Sequence, residues 1–122
     1  MNDKKQILMI GDRVLIDPDH KNDRTRAGLY LPPTVQEKDK VQTGYVVKAG
    51  PGYPLQDLGK PGEEPWSAKR SSDVRFLPLQ VAQGDYALFL RDAAIEIEFE
   101  NKKYLIVPYS AILAVVRTDL GL

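Results

Sequence analysis

The chain has 122 residues, and its 17 basic and 17 acidic side chains cancel to zero net charge. Hydrophobic residues make up 43% and charged ones 28%, the balance of one ordinary globular domain. Zero net charge argues against nucleic acid as a partner, the absence of cysteine removes disulfides, thiolate metal sites and thiol nucleophiles, and one histidine is too few for most zinc or triad arrangements.

From the N-terminus, a polar hexapeptide leads into four apolar residues, Ile7, Leu8, Met9 and Ile10, too few for the core of a secretory signal. Nothing approaches the ~20 apolar residues that span a bilayer. A soluble, cytoplasmic protein without a membrane partner is expected. Residues 12–17 (Asp-Arg-Val-Leu-Ile-Asp) read as a strand stopped by Pro18. Residues 18–41 are crowded with charge: Asp19, Lys21, Asp23, Arg24 and Arg26, then Glu37 to Lys40. A second strand, 43–49, ends at the turn cluster Gly50-Pro51-Gly52. Residues 53–76 are broken by Pro54, Gly59, Pro61, Gly62 and Pro65. Each of these two irregular stretches covers 24 residues, and loops beyond ~12–15 residues are uncommon unless functional or disordered.

Gly84-Asp85 then opens a strand at 86–90. Residues 95–100 alternate Ile-Glu-Ile-Glu-Phe-Glu, with the apolar side chains expected inward and the glutamates outward. Glu100-Asn101-Lys102 reads as a hairpin turn into a strand at 104–107. A helical turn capped by Ser110 leads to the last strand, Ile112, Leu113, Ala114, Val115 and Val116. Short strands separated by turns, with no helical stripe, predict an all-β domain spanning 1–122: a small barrel or sandwich. With both irregular stretches set aside, a core of about 70–80 residues rarely supplies more than ~3–5 kcal/mol, so a partner subunit is expected.

Inside the charged stretch lies one apolar island, Ala27-Gly28-Leu29-Tyr30-Leu31-Pro32-Pro33. Extended, it presents Leu29 and Leu31 on one face. Pro32 ends it by removing a donor and holding Leu31 extended. Either the two leucines fold back and pin the loop to the domain, or they form a hook that charged neighbours keep in water and offer to a groove on another protein.

These segments together resemble the GroES-type co-chaperonins. The likeness rests on Asp12-Arg13-Val14-Leu15-Ile16, then Gly28-Leu29-Tyr30-Leu31-Pro32, then Val46-Val47-Lys48-Ala49-Gly50-Pro51-Gly52. It resumes at Leu77-Pro78-Leu79-Gln80-Val81-Ala82-Gln83-Gly84-Asp85 and in the ending Ile112–Val116. The resemblance implies a GroES-like β-barrel subunit with a mobile loop at about 18–41 and a roof hairpin at about 50–78. Seven such subunits would form a homo-oligomeric ring that caps a GroEL-type chaperonin. The chaperonin, not the lid, would bind ATP, so no cofactor and no metal is expected here, and an unfolded client polypeptide would fold in the closed cavity. Residues 28–32 would dock on the chaperonin, with Leu29-Tyr30-Leu31 as the contact tripeptide. Ile7 to Ile10 of one subunit would pair with Ile112 to Val116 of the next, the alternative being that these segments pair within one subunit. The chain departs from the family pattern at Met9, where proline is usual, and at Asp17 and Ala27.

The stretch 53–76, carrying Trp66, exceeds the family's roof hairpin. It is either a solvated insertion or an element that narrows the dome or reaches into its cavity, with Gly50 and Gly52 at its base. An alternative function is a GroES-fold oligomeric interaction module that no longer serves as a lid and acts through 53–76. His20 has no second ligand nearby in sequence, and the carboxylates of Glu96, Glu98 and Glu100 form one acidic strand face rather than a general acid–base pair. Zinc dehydrogenases containing a domain of related fold need metal ligands and a nucleotide-binding domain that this chain has no room for, so no enzyme is expected.

Overall fold

Period-two apolar runs become strands where each can lay one face against neighbours, and most of those read from the sequence do. The computed structural model describes residues 4–19, 28–29, 40–55 and 75–118. Eight strands are found there: β1 (Arg13–Pro18), β2 (Val41–Ala49), β3 (Tyr53–Leu55), β4 (Arg75–Leu77), β5 (Tyr86–Leu90), β6 (Ile95–Phe99), β7 (Lys102–Pro108) and β8 (Ile112–Val116). Six form one antiparallel sheet in the order β6-β7-β1-β2-β5-β8, and β3 and β4 form a separate ribbon.

The expectation of a barrel is overturned by this order. A barrel needs its first and last strands to pair, yet among the described residues β6 and β8 are the two edges of an open sheet. The protein is all-β, with an open six-stranded sheet. The sheet still encloses a core because two of its ladders slip register, between Leu15 and Ile16 and between Leu88 and Phe89, and such bulges bend and twist a strand. Val14 and Ile16 of β1, Val46 of β2, Ala87 and Phe89 of β5, and Leu105 and Val107 of β7 meet in one cluster. Leu15, one position out of phase, is buried as well. Its cross-strand partner is Lys48, whose Nζ donates to the Ile7 carbonyl at 2.9 Å. That bond ties the N-terminal segment to β2 at Ile7.

Local signals account for the turns. Glu100 and Asn101 sit at φ 53° and 65°, the two left-handed residues that a two-residue hairpin of this twist requires, and they join β6 to β7 at Phe99↔Lys102. The alternation expected for β6 is realised in part: Ile97 and Phe99 are half-buried while Glu96, Glu98 and Glu100 are exposed, but Ile95 is 62% exposed on a strand at the edge of the sheet. Ser110 does not cap the turn before β8. It lies inside a 3-10 turn, Tyr109–Ala111, whose N-cap position is Pro108, and no side chain caps it.

Candidate functional site

Two surfaces could carry function: the roots of the segment joining β1 to β2, and the exposed edge at β8. At the first, the β1–β2 ladder runs one residue past Pro18, with the Asp19 amide donating to the Thr43 carbonyl at 2.9 Å. The Tyr86 hydroxyl lies 2.7 Å from Asp19 Oδ2 and 2.8 Å from Thr43 Oγ1. It has one proton; given to the carboxylate, that leaves the Thr43 hydroxyl to donate to Tyr86. Tyr86 itself is buried and meets Tyr45 edge to face at 4.8 Å between centroids. At the returning root, the Arg91 amide donates to the Lys40 carbonyl at 2.7 Å, and Arg91 Nη2 reaches the Val41 carbonyl at 3.4 Å.

Of the expected docking residues, Gly28 and Leu29 are described. Gly28 is exposed at φ +88°, a conformation that side chains resist, and Leu29 beside it is half-buried. Tyr30, Leu31 and Pro32 lie outside the described residues, as do His20, Ala27 and Trp66.

At the second surface, β8 pairs with β5 through one edge and stands at the margin of the sheet with the other. Leu113 is 54% exposed and Val116 is exposed too, while Ile112 and Val115 are half-buried. A groove of about 730 Å³ runs along this edge, lined by Tyr53, Val81, Tyr109, Leu113, Val115 and Arg117 among others. Residues 4–10 carry no strand. Leu8 and Ile10 are 64% and 76% exposed, Ile7 and Met9 half-buried. The pairing of these two segments within one subunit is not found among the described residues. Each chain thus exposes apolar side chains at two places, Leu8 and Ile10 in the N-terminal segment and Leu113 and Val116 on the β8 edge.

The end of β8 is fixed by an ion pair that the sequence did not reveal. Arg117 grips Asp85 with two parallel bonds, Nε to Oδ1 and Nη2 to Oδ2, both at 2.7 Å, and Nη2 also donates to the Gln80 carbonyl at 3.1 Å. The Ala82 amide adds a bond to Asp85 Oδ2 at 2.8 Å. The Arg117 guanidinium holds the buried Asp85 carboxyl below its usual range; burial pushes the other way and the Ala82 amide assists the lowering. Because the folded carboxyl releases its proton more readily than the unfolded one, the pair's stabilisation is complete above the unfolded value near ~3.9 and is lost as pH falls through the folded one. Asp85→Asn is expected to cost about 1.5–3 kcal/mol at pH 7, as for hydrogen bonds to charged groups. Urea unfolding should show the gap from wild type shrinking towards pH 3; an equal gap at both pH values would contradict the assignment.

The stretch expected to form the roof hairpin is framed by the β3–β4 ribbon, with register Tyr53↔Leu77, Pro54↔Phe76 and Leu55↔Arg75. Tyr53, Leu55, Phe76 and Leu77 are all exposed. At its base, a Cβ on Gly52 would collide with the Leu77 carbonyl oxygen, and one on Gly50 with the Gly11 carbonyl oxygen. Both glycines are there because two backbones touch. Asp17, one of the departures from the family pattern, pairs with Lys102 at 3.2 Å, and Glu96 of the acidic face pairs with Lys103 at 3.6 Å. Among the described residues no cluster could hold a metal ion, and no helix is long and apolar enough to cross a membrane.

Comparison with known proteins gives a consistent result. The family model described as "Chaperonin 10 Kd subunit" matches residues 6–63 and 67–116. Among curated relatives, a co-chaperonin GroES of Coprothermobacter proteolyticus is 32% identical over 111 residues, covering 91% of this chain and 95% of the relative. A co-chaperonin GroES of Bacillus pumilus is 35% identical over 107 residues, covering 88% and 95%. One from Rhodothermus marinus is 29% identical over 116 residues, covering 95% and 97%. Trp66 falls in the short gap between the two matched stretches.

Proposed function

This chain belongs to the chaperonin 10 kDa subunit family, the GroES-type co-chaperonins, and on that premise we propose how it acts. It is an oligomeric co-chaperonin that caps a GroEL-type ring, a lid and not an enzyme. In the proposal, seven copies form a ring in the cytoplasm, with Ile7 to Ile10 of each subunit laid along Ile112 to Val116 of the next. The ring docks through Gly28, Leu29, Tyr30, Leu31 and Pro32 once the chaperonin has bound ATP, and a client polypeptide folds beneath it. The β3–β4 ribbon, Gly50, Gly52 and the residues around Trp66 form the roof.

The carrying observation is that one matched stretch, 6–63, runs continuously from the N-terminal strip through the apolar island to the roof. The exposed β8 edge supports the ring, since an apolar strand margin left in water invites pairing with another chain. Native mass spectrometry of the purified protein should give seven subunits, and co-sedimentation with a GroEL-type chaperonin should require ATP. Monomers alone at micromolar concentration, or binding indifferent to nucleotide, would count against the mechanism.

A further inference from the structure

We propose that Asp19, Thr43 and Tyr86 form a clamp that fixes where the docking segment leaves the sheet, so that Asp19 and Tyr86 are positioning residues for capping. The inference rests on the docking role proposed above and adds the residues that aim it.

Asp19 stands first in a run of charges that the sequence presents as a solvating loop. Its carboxylate nevertheless accepts a bond from a tyrosine that is 1% exposed and lies 67 residues away in the chain. A buried phenol must find a partner for its hydroxyl, and here it meets the side chain at the loop root and the hydroxyl of the strand opposite it. The backbone bond from Asp19 to Thr43 closes the same corner. The returning root is tied at Lys40 and Val41 by Arg91, which directly follows β5, the strand that Tyr86 begins. Both ends of the 20-residue stretch between Asp19 and Lys40 are therefore fastened to one strand. They depart and return within two or three residues of β2, roughly 7–10 Å at ~3.3 Å per residue.

A tether with fixed roots samples less space than one whose first residues peel from the sheet. It holds its hook at a higher effective concentration near the neighbouring groove. Losing the clamp changes each loop modestly, but a loss of ~1.5-fold per loop compounds over six further linked contacts to roughly tenfold.

The test compares wild type, Tyr86→Phe, Asp19→Ala, Asp19→Asn and the Tyr86→Phe/Asp19→Ala pair. Capping affinity for a GroEL-type chaperonin is measured with ATP, ring mass by native mass spectrometry, and exchange of the Asp19 amide in the free ring. Tyr86→Phe and Asp19→Ala should each weaken capping about tenfold with ring mass unchanged and faster exchange at Asp19. The double variant should lose no more than the singles, and Asp19→Asn, which keeps an acceptor oxygen, should stay near wild type. Wild-type affinity in both single variants overturns the clamp, as does a loss that merely tracks loss of the ring. A wild-type protein that fails to cap at all defeats the docking role itself, and the clamp with it.

Discussion

Leu31→Asp is expected to abolish capping while the ring survives. Burying Leu29 and Leu31 in an apolar groove is worth roughly 1.5–3 kcal/mol each, and ordering each loop residue costs ~1–2 kcal/mol. A single hook therefore has little or no net affinity. In the proposed ring every contact after the first becomes an intramolecular one, so small losses per loop multiply. An aspartate at 31 forfeits one leucine's burial and sets a carboxylate against a surface that cannot solvate it. A loss of only ~1.4 kcal/mol per loop is already tenfold at each contact, and repeated round a ring it removes ATP-dependent capping from the measurable range.

The same arithmetic forbids tight binding by one copy. A synthetic peptide spanning 20–39, titrated calorimetrically into the chaperonin, should bind more weakly than micromolar. Equal pull-down of wild type and Leu31→Asp, or a micromolar peptide, would remove the hook or the multiplicity respectively.

What the sequence made legible was local. The runs at Val14-Leu15-Ile16, Tyr45-Val46-Val47 and 86–90 became β1, β2 and β5 within a residue or two, and Glu100-Asn101 made the expected turn. The island at Gly28 to Pro32 stood out because five adjacent residues contrast with their charged surroundings. What failed depends on distance along the chain. No period tells which strands become margins: β1 lies between β2, the next strand in the chain, and β7, contributed from far downstream, so neither the open sheet nor the exposure of Ile95 could be read from alternation. β3 and β4 are three residues each, with Pro54 inside one, and carry no pattern to detect. Asp19 and Asp85 looked like a loop charge and a turn residue until Tyr86 and Arg117 arrived from 67 and 32 positions away.

The exposed margin gives the second large effect. Leu113→Asp is expected to leave the subunit folded and reduce the ring to monomers. In a single chain Leu113 already faces water, and surface substitutions of that kind usually change stability by no more than ~0.5 kcal/mol. If the neighbour's Leu8 and Ile10 cover this groove, the same aspartate is buried at every subunit contact without a partner. An uncompensated buried charge costs about 3–5 kcal/mol where its partner has been removed, more than enough to shift micromolar rings apart. Arg117 does not rescue it, since its guanidinium is already committed to both oxygens of Asp85. Leu8→Asp, on the opposite side of the contact, should reproduce the phenotype, whereas Ile95→Asp on β6, exposed at the far margin of the sheet, should leave the ring whole. Sedimentation velocity separates the cases. Intact rings for both Leu8→Asp and Leu113→Asp would mean that assembly uses another surface, and dissociation by Ile95→Asp would move the contact to the β6 edge.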